Sequence, residues 1–263
     1  MNNDDFSLLE KMIYSGTGIT IGMTPNGKPF MGYSLTGREP DEQARKLKYN
    51  DNYFAIKPTD SALFNTHNAK LLLYMAMQFI DDDGNKKIIA SNGGHLLSIA
   101  RVIYNMESIE PQQILTTARD YTDEFYDGKI YSKYLPDAPH FTPRISGCIG
   151  EKEGSLYIVR KRPDNNYAED QLFHIKLEPG QADTITTYNG INEEILLPFK
   201  ETESLSAKIA STTAKDICES LYFAIRPKDG IKYRVAAAVI LLKEKEKLEF
   251  AIINKSDRRI KFF

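Results

Sequence analysis

The clearest pattern lies in two apolar stretches, Gly18-Ile-Thr-Ile-Gly-Met and Lys28-Pro-Phe-Met-Gly-Tyr-Ser-Leu, on either side of Thr24-Pro-Asn-Gly27. Asn-Gly tolerates the left-handed backbone of a tight primed turn, so this pattern predicts a hairpin over about 17–36. Upstream, Phe6, Leu8, Leu9, Met12 and Ile13 are spaced as the apolar side of a short helix over 6–14. Residues 37–50 are polar and read as a loop. Strands are predicted at 53–57 and at 70–79, where Lys70-Leu-Leu-Leu-Tyr-Met-Ala-Met-Gln-Phe is almost continuously apolar, as in a strand covered on both faces. Asp81-Asp-Asp-Gly-Asn85 is a turn, residues 86–91 a strand, and Leu96–Tyr104 has helical periodicity. Pro111 suits the first turn of a second helix.

Beyond a proline-rich stretch at 134–143, the apolar pattern predicts strands at 144–149, 155–161, 172–177 and 184–188. Leu205, Ile209, Ile217, Leu221 and Phe223 form the apolar stripe of a helix predicted over 204–224. Two more strands, 233–242 and 247–254, flank a solvated tip at Lys243-Glu-Lys-Glu-Lys. No repeat, low-complexity tract or linker interrupts the pattern. It reads as one α+β domain over residues 1–263, rich in antiparallel strands with helices grouped outside them.

Composition narrows the function classes. The chain has 263 residues, of which 41% are hydrophobic, enough for a sizeable core. Lysine plus arginine number 34 against 36 acidic residues, a formal charge of −2, which argues against a nucleic-acid groove or an anionic-membrane surface. Cys148 and Cys218 stand in apolar contexts without partners at metal spacing and read as reduced core thiols. No apolar run approaches a membrane span, and Met1-Asn-Asn-Asp-Asp lacks the basic and apolar regions of a signal peptide, so the expected compartment is the cytoplasm.

Candidate chemistry concentrates in a few places. Pro136, Pro139 and Pro143 stiffen the loop before Arg144, so its guanidinium is launched from a rigid support at a strand's start. Such a group can hold a carbonyl, carboxylate or phosphate; the plainer role is to cap a turn or pair with Asp137. Arg38, Arg45, Lys46 and Lys48 could gather a phosphate, or could simply be a solvated charged loop. Tyr74 sits in an apolar run, where its hydroxyl needs a partner. Asn92-Gly-Gly-His95 joins a strand to a helix, an arrangement that aims backbone N–H groups at an anion, although it lacks the Walker ending; His95 could equally be a surface or capping residue. The Asp81–Asn85 turn lacks the closing glutamate of a calcium loop.

These residues fall into a recognisable order. Asp137-Ala-Pro-His-Phe-Thr-Pro-Arg-Ile-Ser-Gly resembles the signature of the archaeal-type IMP cyclohydrolase family. Gly37-Arg38-Glu-Pro-Asp-Glu-Gln-Ala-Arg45, Leu71-Leu-Leu-Tyr74-Met-Ala-Met, Ser91-Asn-Gly-Gly-His95 and Thr186-Thr-Tyr-Asn-Gly190 are similar to its other segments. The resemblance implies a four-layer α/β/β/α sandwich of the Ntn-hydrolase-like architecture. It also implies closure of a formamido-imidazole-carboxamide ribonucleotide to IMP with loss of water. No cofactor or metal is implied; the partner is a purine nucleotide, and a homo-oligomer is compatible with it.

By the same resemblance Arg38 and Arg45 hold the 5′-phosphate, Arg144 orients or polarises a carbonyl, Tyr74 donates or relays a proton, and Asn92 and His95 bind base or ribose edges. The sequence departs from the family at Gln43, Ala44, Met75, Leu97 and Leu135, where Arg, Asn, Asn, Asp and Glu are usual. Asp137, or else Glu124, is the candidate to replace the carboxylate missing at Leu135. The departures keep a second reading open, a diverged relative that binds a purine nucleotide without turnover. An amide hydrolase on the same fold is disfavoured, since neither Met1 nor Asn2 is a Ser, Thr or Cys nucleophile.

Overall fold

A computed structural model describes residues 4–60, 69–106, 109–120, 133–243, 248–257 and 261–262. The chain opens with a one-turn helix, α1 (Ser7–Glu10), and a hairpin, β1 (Thr17–Met23) and β2 (Pro29–Thr36). α2 (Pro40–Gln43) leads into a second hairpin, β3 (Arg45–Asn50) and β4 (Tyr53–Pro58). α3 (Ala69–Leu72) precedes a third, β5 (Met75–Asp82) and β6 (Asn85–Ser91). Next come α4 (Leu96–Asn105), α5 (Pro111–Asp120), β7 (Arg144–Ile149), β8 (Glu153–Lys161), β9 (Ala168–Lys176) and β10 (Gln181–Thr186). β11 (Leu205–Lys208), α6 (Ala214–Ala224), β12 (Arg234–Leu242), β13 (Leu248–Asn254) and β14 (Lys261–Phe262) complete the order.

Among the described residues the strands form two seven-stranded sheets, β11-β10-β1-β2-β12-β13-β14 and β3-β4-β5-β6-β7-β8-β9. Their neighbours pair antiparallel. The turn chemistry accounts for the tight hairpins. Gly27, at φ 78°, supplies the left-handed residue after a turn closed by its N–H on the Thr24 carbonyl at 2.9 Å, and Asp83 and Gly84, at φ 49° and 86°, are the two left-handed residues of a primed turn.

Side chains alternate between the two faces of each strand, and the central strands β1, β2, β7 and β12 are buried almost throughout because both faces are covered. One apolar cluster draws Ile19, Ile21, Met31 and Ile240 from the first sheet and Ile56, Ile88, Ile145 and Ile158 from the second. A second joins α1 and α6 to the opposite face of the first sheet through Leu9, Ile217, Leu221 and Val239. A third joins α4 and α5 to the second sheet through Ile89, Leu96, Leu115 and Val159. The class is α+β with antiparallel sheets, as the sequence pattern predicts. Both cysteines are buried in these layers as free thiols, and burial pushes the Cys148 thiol up to about 12. No described helix is long and apolar enough to cross a membrane.

Four expected elements differ. The helix expected over 6–14 is the single turn of α1. The loop expected over 37–50 contains α2, started by Pro40 and a Glu39–Glu42 capping box, followed by β3. There Arg45 and Leu47 are buried while Lys48 is exposed, so the lysines that suggested a loop are the outward positions of an edge strand. The strand expected over 70–79 is helical through Leu72 and extends only from Met75, which leaves Tyr74 just ahead of β5. The helix expected over 204–224 is two elements, β11 and α6. Thr213 caps α6 by accepting the Asp216 N–H, which stops the helix from running further back.

Candidate active site

Where the two sheets meet at one end, several chain segments enclose a polar cleft of about 210 Å³. Gly16 and Thr17 contribute the start of β1, and Thr36 the end of β2. Glu39 caps α2, Asp41 and Glu42 come from it, and Arg45 lies just beyond. Leu71, Leu72 and Tyr74 form one wall; Leu135, Asp137 and Thr142 come from the proline-rich loop. Asn92 follows β6, while Thr187 and Tyr188 follow β10, and Tyr14 completes the ring.

Each polar wall is held by hydrogen bonds from behind. The Glu42 carboxylate accepts from the Tyr14 hydroxyl at 3.1 Å and from the backbone N–H groups of Arg38 and Glu39 at 2.6 and 3.1 Å. Arg45, buried, donates through Nε to the Glu42 carbonyl at 2.8 Å and through Nη2 to the Thr36 carbonyl at 3.3 Å. A guanidinium fixed by two carbonyls loses little further freedom when it meets an anion. The Tyr74 hydroxyl lies 3.2 Å from that of Tyr33, which lies 3.2 Å from the Ser91 carbonyl. Burial, then the neighbouring Tyr74, holds the Tyr33 phenol well above its usual range.

Asn92 ties β6 to β7. Its Oδ1 accepts the Ile145 N–H at 2.9 Å, and its Nδ2 donates to the Pro143 carbonyl at 2.8 Å and to Thr187 Oγ1 at 3.3 Å. His95 occupies the N-cap position of α4, but its ring turns inward: Nε2 lies 3.1 Å from the Ile145 carbonyl and Nδ1 lies 3.4 Å from Arg144 Nη1. A carbonyl accepts and a guanidinium donates, so the imidazole is the neutral Nε2–H tautomer. Burial, reinforced by the Arg144 charge, pushes its pKa well down. Arg144 also donates through Nε to the Lys133 carbonyl at 2.7 Å. Asp137 closes the tip of the proline loop: its carboxylate accepts the Thr142 N–H at 2.7 Å and the Thr142 hydroxyl, and Ala138–Pro139 in that tip is a cis peptide.

The structure therefore brings Arg45, Tyr74, Asn92 and Asp137 to one cleft. Arg38, His95 and Arg144 are set back from its lining. Arg38 donates to the Glu193 carbonyl at 2.7 Å and the Glu194 carbonyl at 3.4 Å, and contacts His140 Nε2 at 3.3 Å, so it straps the 193–194 turn to the proline loop. Arg144 lies beneath Gly93, where a Cβ would come within 3.4 Å of Nη1. Glu124 lies outside the described residues. Among the described residues, no group of three or more His, Cys, Asp or Glu is placed to hold a metal.

Tyr14, Glu42, Thr142 and Tyr188 were not singled out by sequence reasoning. Glu42, Thr142 and Tyr188 stand inside segments that carry the family resemblance. Tyr14 had no signal, because its pairing with Glu42 spans 28 residues of sequence.

Known proteins resemble this chain over most of its length. The family model described as "IMP cyclohydrolase-like protein" matches residues 14–246. The IMP cyclohydrolase of Methanocaldococcus jannaschii is 26% identical over 225 residues, covering 84% of this chain and 97% of that protein. The IMP cyclohydrolase of Methanococcus maripaludis is 22% identical over 237 residues, covering 90% of this chain and 98% of that protein. The matched span includes every cleft residue named above, from Tyr14 to Tyr188, and this chain belongs to the IMP cyclohydrolase-like family.

Proposed function

We propose that this protein is an IMP cyclohydrolase. The carboxamide nitrogen of a formamido-imidazole-carboxamide ribonucleotide attacks its own formyl carbon, the formyl oxygen leaves as water, and the second purine ring closes. The chemistry is intramolecular, so the protein's task is to fold the substrate into a near-attack shape, hold the formyl oxygen and move protons. The observation that carries the reading is the concentration of Arg45, Tyr74, Asn92, Thr142 and Tyr188 in one cleft inside the span that matches the family.

In this proposal Arg45 meets the 5′-phosphate, because it is the buried arginine on the cleft wall. Arg38 shapes the wall through the 193–194 turn. Arg144 acts through the neutral His95, fixing the strand start that carries the loop. Asn92 orders the same junction and offers its edge to the ribose or base, and Asp137 positions Thr142. We further read the chain as one domain with a four-layer, Ntn-hydrolase-like architecture, which the cluster shared by both sheets and the helix-facing cluster on each sheet support.

One observation favours the second reading, nucleotide binding without turnover. Leu135 lines the cleft where the family resemblance places a glutamate, and leucine can move no proton. Purified protein incubated with the formamido substrate decides between them, with IMP followed by chromatography and nucleotide titrated in parallel. IMP formed well above the spontaneous rate supports the enzyme; saturable binding without IMP supports the binding protein; neither overturns both.

A further inference from the structure

The directions of the hydrogen bonds behind the cleft can be worked out from what each group is able to donate. A hydroxyl carries one proton, a carboxylate accepts only, and a carbonyl accepts only. Thr142 Oγ1 contacts the Asp137 carboxylate, so the Thr142 proton is spent there. The 2.8 Å contact between Thr142 Oγ1 and the Tyr188 hydroxyl must then be donated by Tyr188. The Thr142 N–H on the other Asp137 oxygen, at 2.7 Å, keeps the carboxylate from turning.

The same logic applies at two other walls. The Tyr14 hydroxyl donates to Glu42, whose oxygen also receives two backbone N–H groups and has no proton to return. Tyr33 faces the Ser91 carbonyl and donates to it, so the contact between Tyr33 and Tyr74 is donated by Tyr74. Burial raises the phenols of Tyr14, Tyr33 and Tyr188, so they keep these protons through the neutral range. The Tyr14 and Tyr188 rings stack with centroids 5.6 Å apart, which places two of the three hydroxyl systems side by side.

We infer that the cleft is polarised from behind: Tyr14, Tyr74 and Tyr188 each spend their hydroxyl proton on the protein and meet a ligand as acceptors, with Asp137 and Thr142 positioning Tyr188. The inference rests on the reading of this cleft as the ligand site. It assigns the ligand's matching groups: amide N–H, amine N–H or ribose hydroxyl donors, rather than bare carbonyl or carboxylate oxygens. It also changes the role expected of Tyr74 from donor to acceptor in the resting site.

Asp137→Asn tests the inference through a near-isosteric change. The amide oxygen keeps the Thr142 N–H, and the amide nitrogen then faces Thr142 Oγ1 as a donor. The Thr142 proton turns to Tyr188, and the Tyr188 proton turns into the cleft. The Raman tyrosine doublet distinguishes donating from accepting hydroxyls and needs no ligand. With 15 tyrosines present, it is read as a variant-minus-parent difference. The expected result is one tyrosine moving from donor toward acceptor in Asp137→Asn, no change in Thr142→Ser, and loss of the change when Tyr188→Phe is added. Thr142→Val, which removes the acceptor of the Tyr188 proton, gives a second route to the shift should Asp137→Asn fail to fold. Turnover should follow, with Asp137→Asn lower by about tenfold or more. An unchanged doublet in both Asp137→Asn and Thr142→Val overturns the inference whatever the activity. A parent protein with neither turnover nor binding overturns the functional reading instead, and the doublet still judges the polarity.

Discussion

The imidazole of His95 sits between the Ile145 carbonyl and the Arg144 guanidinium, and its 1% exposure denies water to any charge it might take up. Its pKa is depressed below the ordinary 6.5 by burial first and by Arg144 second. Above pH 6.5 the ring is neutral both folded and unfolded, so this group adds no pH dependence. Below 6.5 the unfolded chain takes a proton that the folded site refuses, and stability falls toward the depressed folded value, by at most about 1.4 kcal/mol per pH unit from this residue. Urea unfolding from pH 7.5 to 5 should show that slope, and His95→Gln should flatten it. Arg45 offers a second test at this scale. Arg45→Met should weaken purine nucleotide binding by about 10- to 100-fold, the worth of a charged hydrogen bond to phosphate, as read by calorimetric titration. Arg45 was legible in the sequence because a guanidinium's chemistry is intrinsic to it. Glu42 and Tyr14 were not, because each matters only through the other.

At the scale of elements, α6 carries the correction that sequence periodicity missed. Leu205 and Ile209 continue the apolar spacing of the helix in sequence, yet they precede a cap. Thr213→Ala should remove the hydrogen bond to the Asp216 N–H and cost about 1 kcal/mol, measured by denaturant unfolding. The strap formed by Arg38 makes a contrasting prediction. Arg38→Ala should raise amide exchange in residues 189–197, since the carbonyls of Glu193 and Glu194 lose their donor, whereas Arg45→Met should not. The hairpins were legible because Asn26-Gly27 and Asp83-Gly84 impose their geometry locally. β3 was not, because its outward lysines look the same in a loop and on a sheet edge.

For the whole molecule, the close approach of the two sheets is the decisive feature. A Cβ at Gly147 in β7 would lie 2.9 Å from Ile19 Cγ2 in β1 and 3.3 Å from Met31 Cε in β2. Gly147→Val should therefore overpack this layer and cost about 1–3 kcal/mol, seen as a lower urea midpoint with an unchanged slope. A nucleotide that binds only the folded cleft should act in the opposite direction, adding about 2.7 kcal/mol at a hundredfold excess over its Kd.

The sequence by itself determined the antiparallel α+β class, the tight turns and the family. These depend on intrinsic residue chemistry, on backbone preferences acting over a few neighbours, or on motif order along the chain. Only the tertiary structure decided which side chains reach the cleft and which way their protons point. Tyr188 meets Thr142 across 46 residues and Tyr74 meets Tyr33 across 41. Burial and hydrogen-bond direction belong to such distant pairs, so Arg144 and Arg38, conspicuous in the sequence, are found donating to backbone carbonyls, while Tyr14, silent in it, lines the cleft beside Glu42 and Thr142.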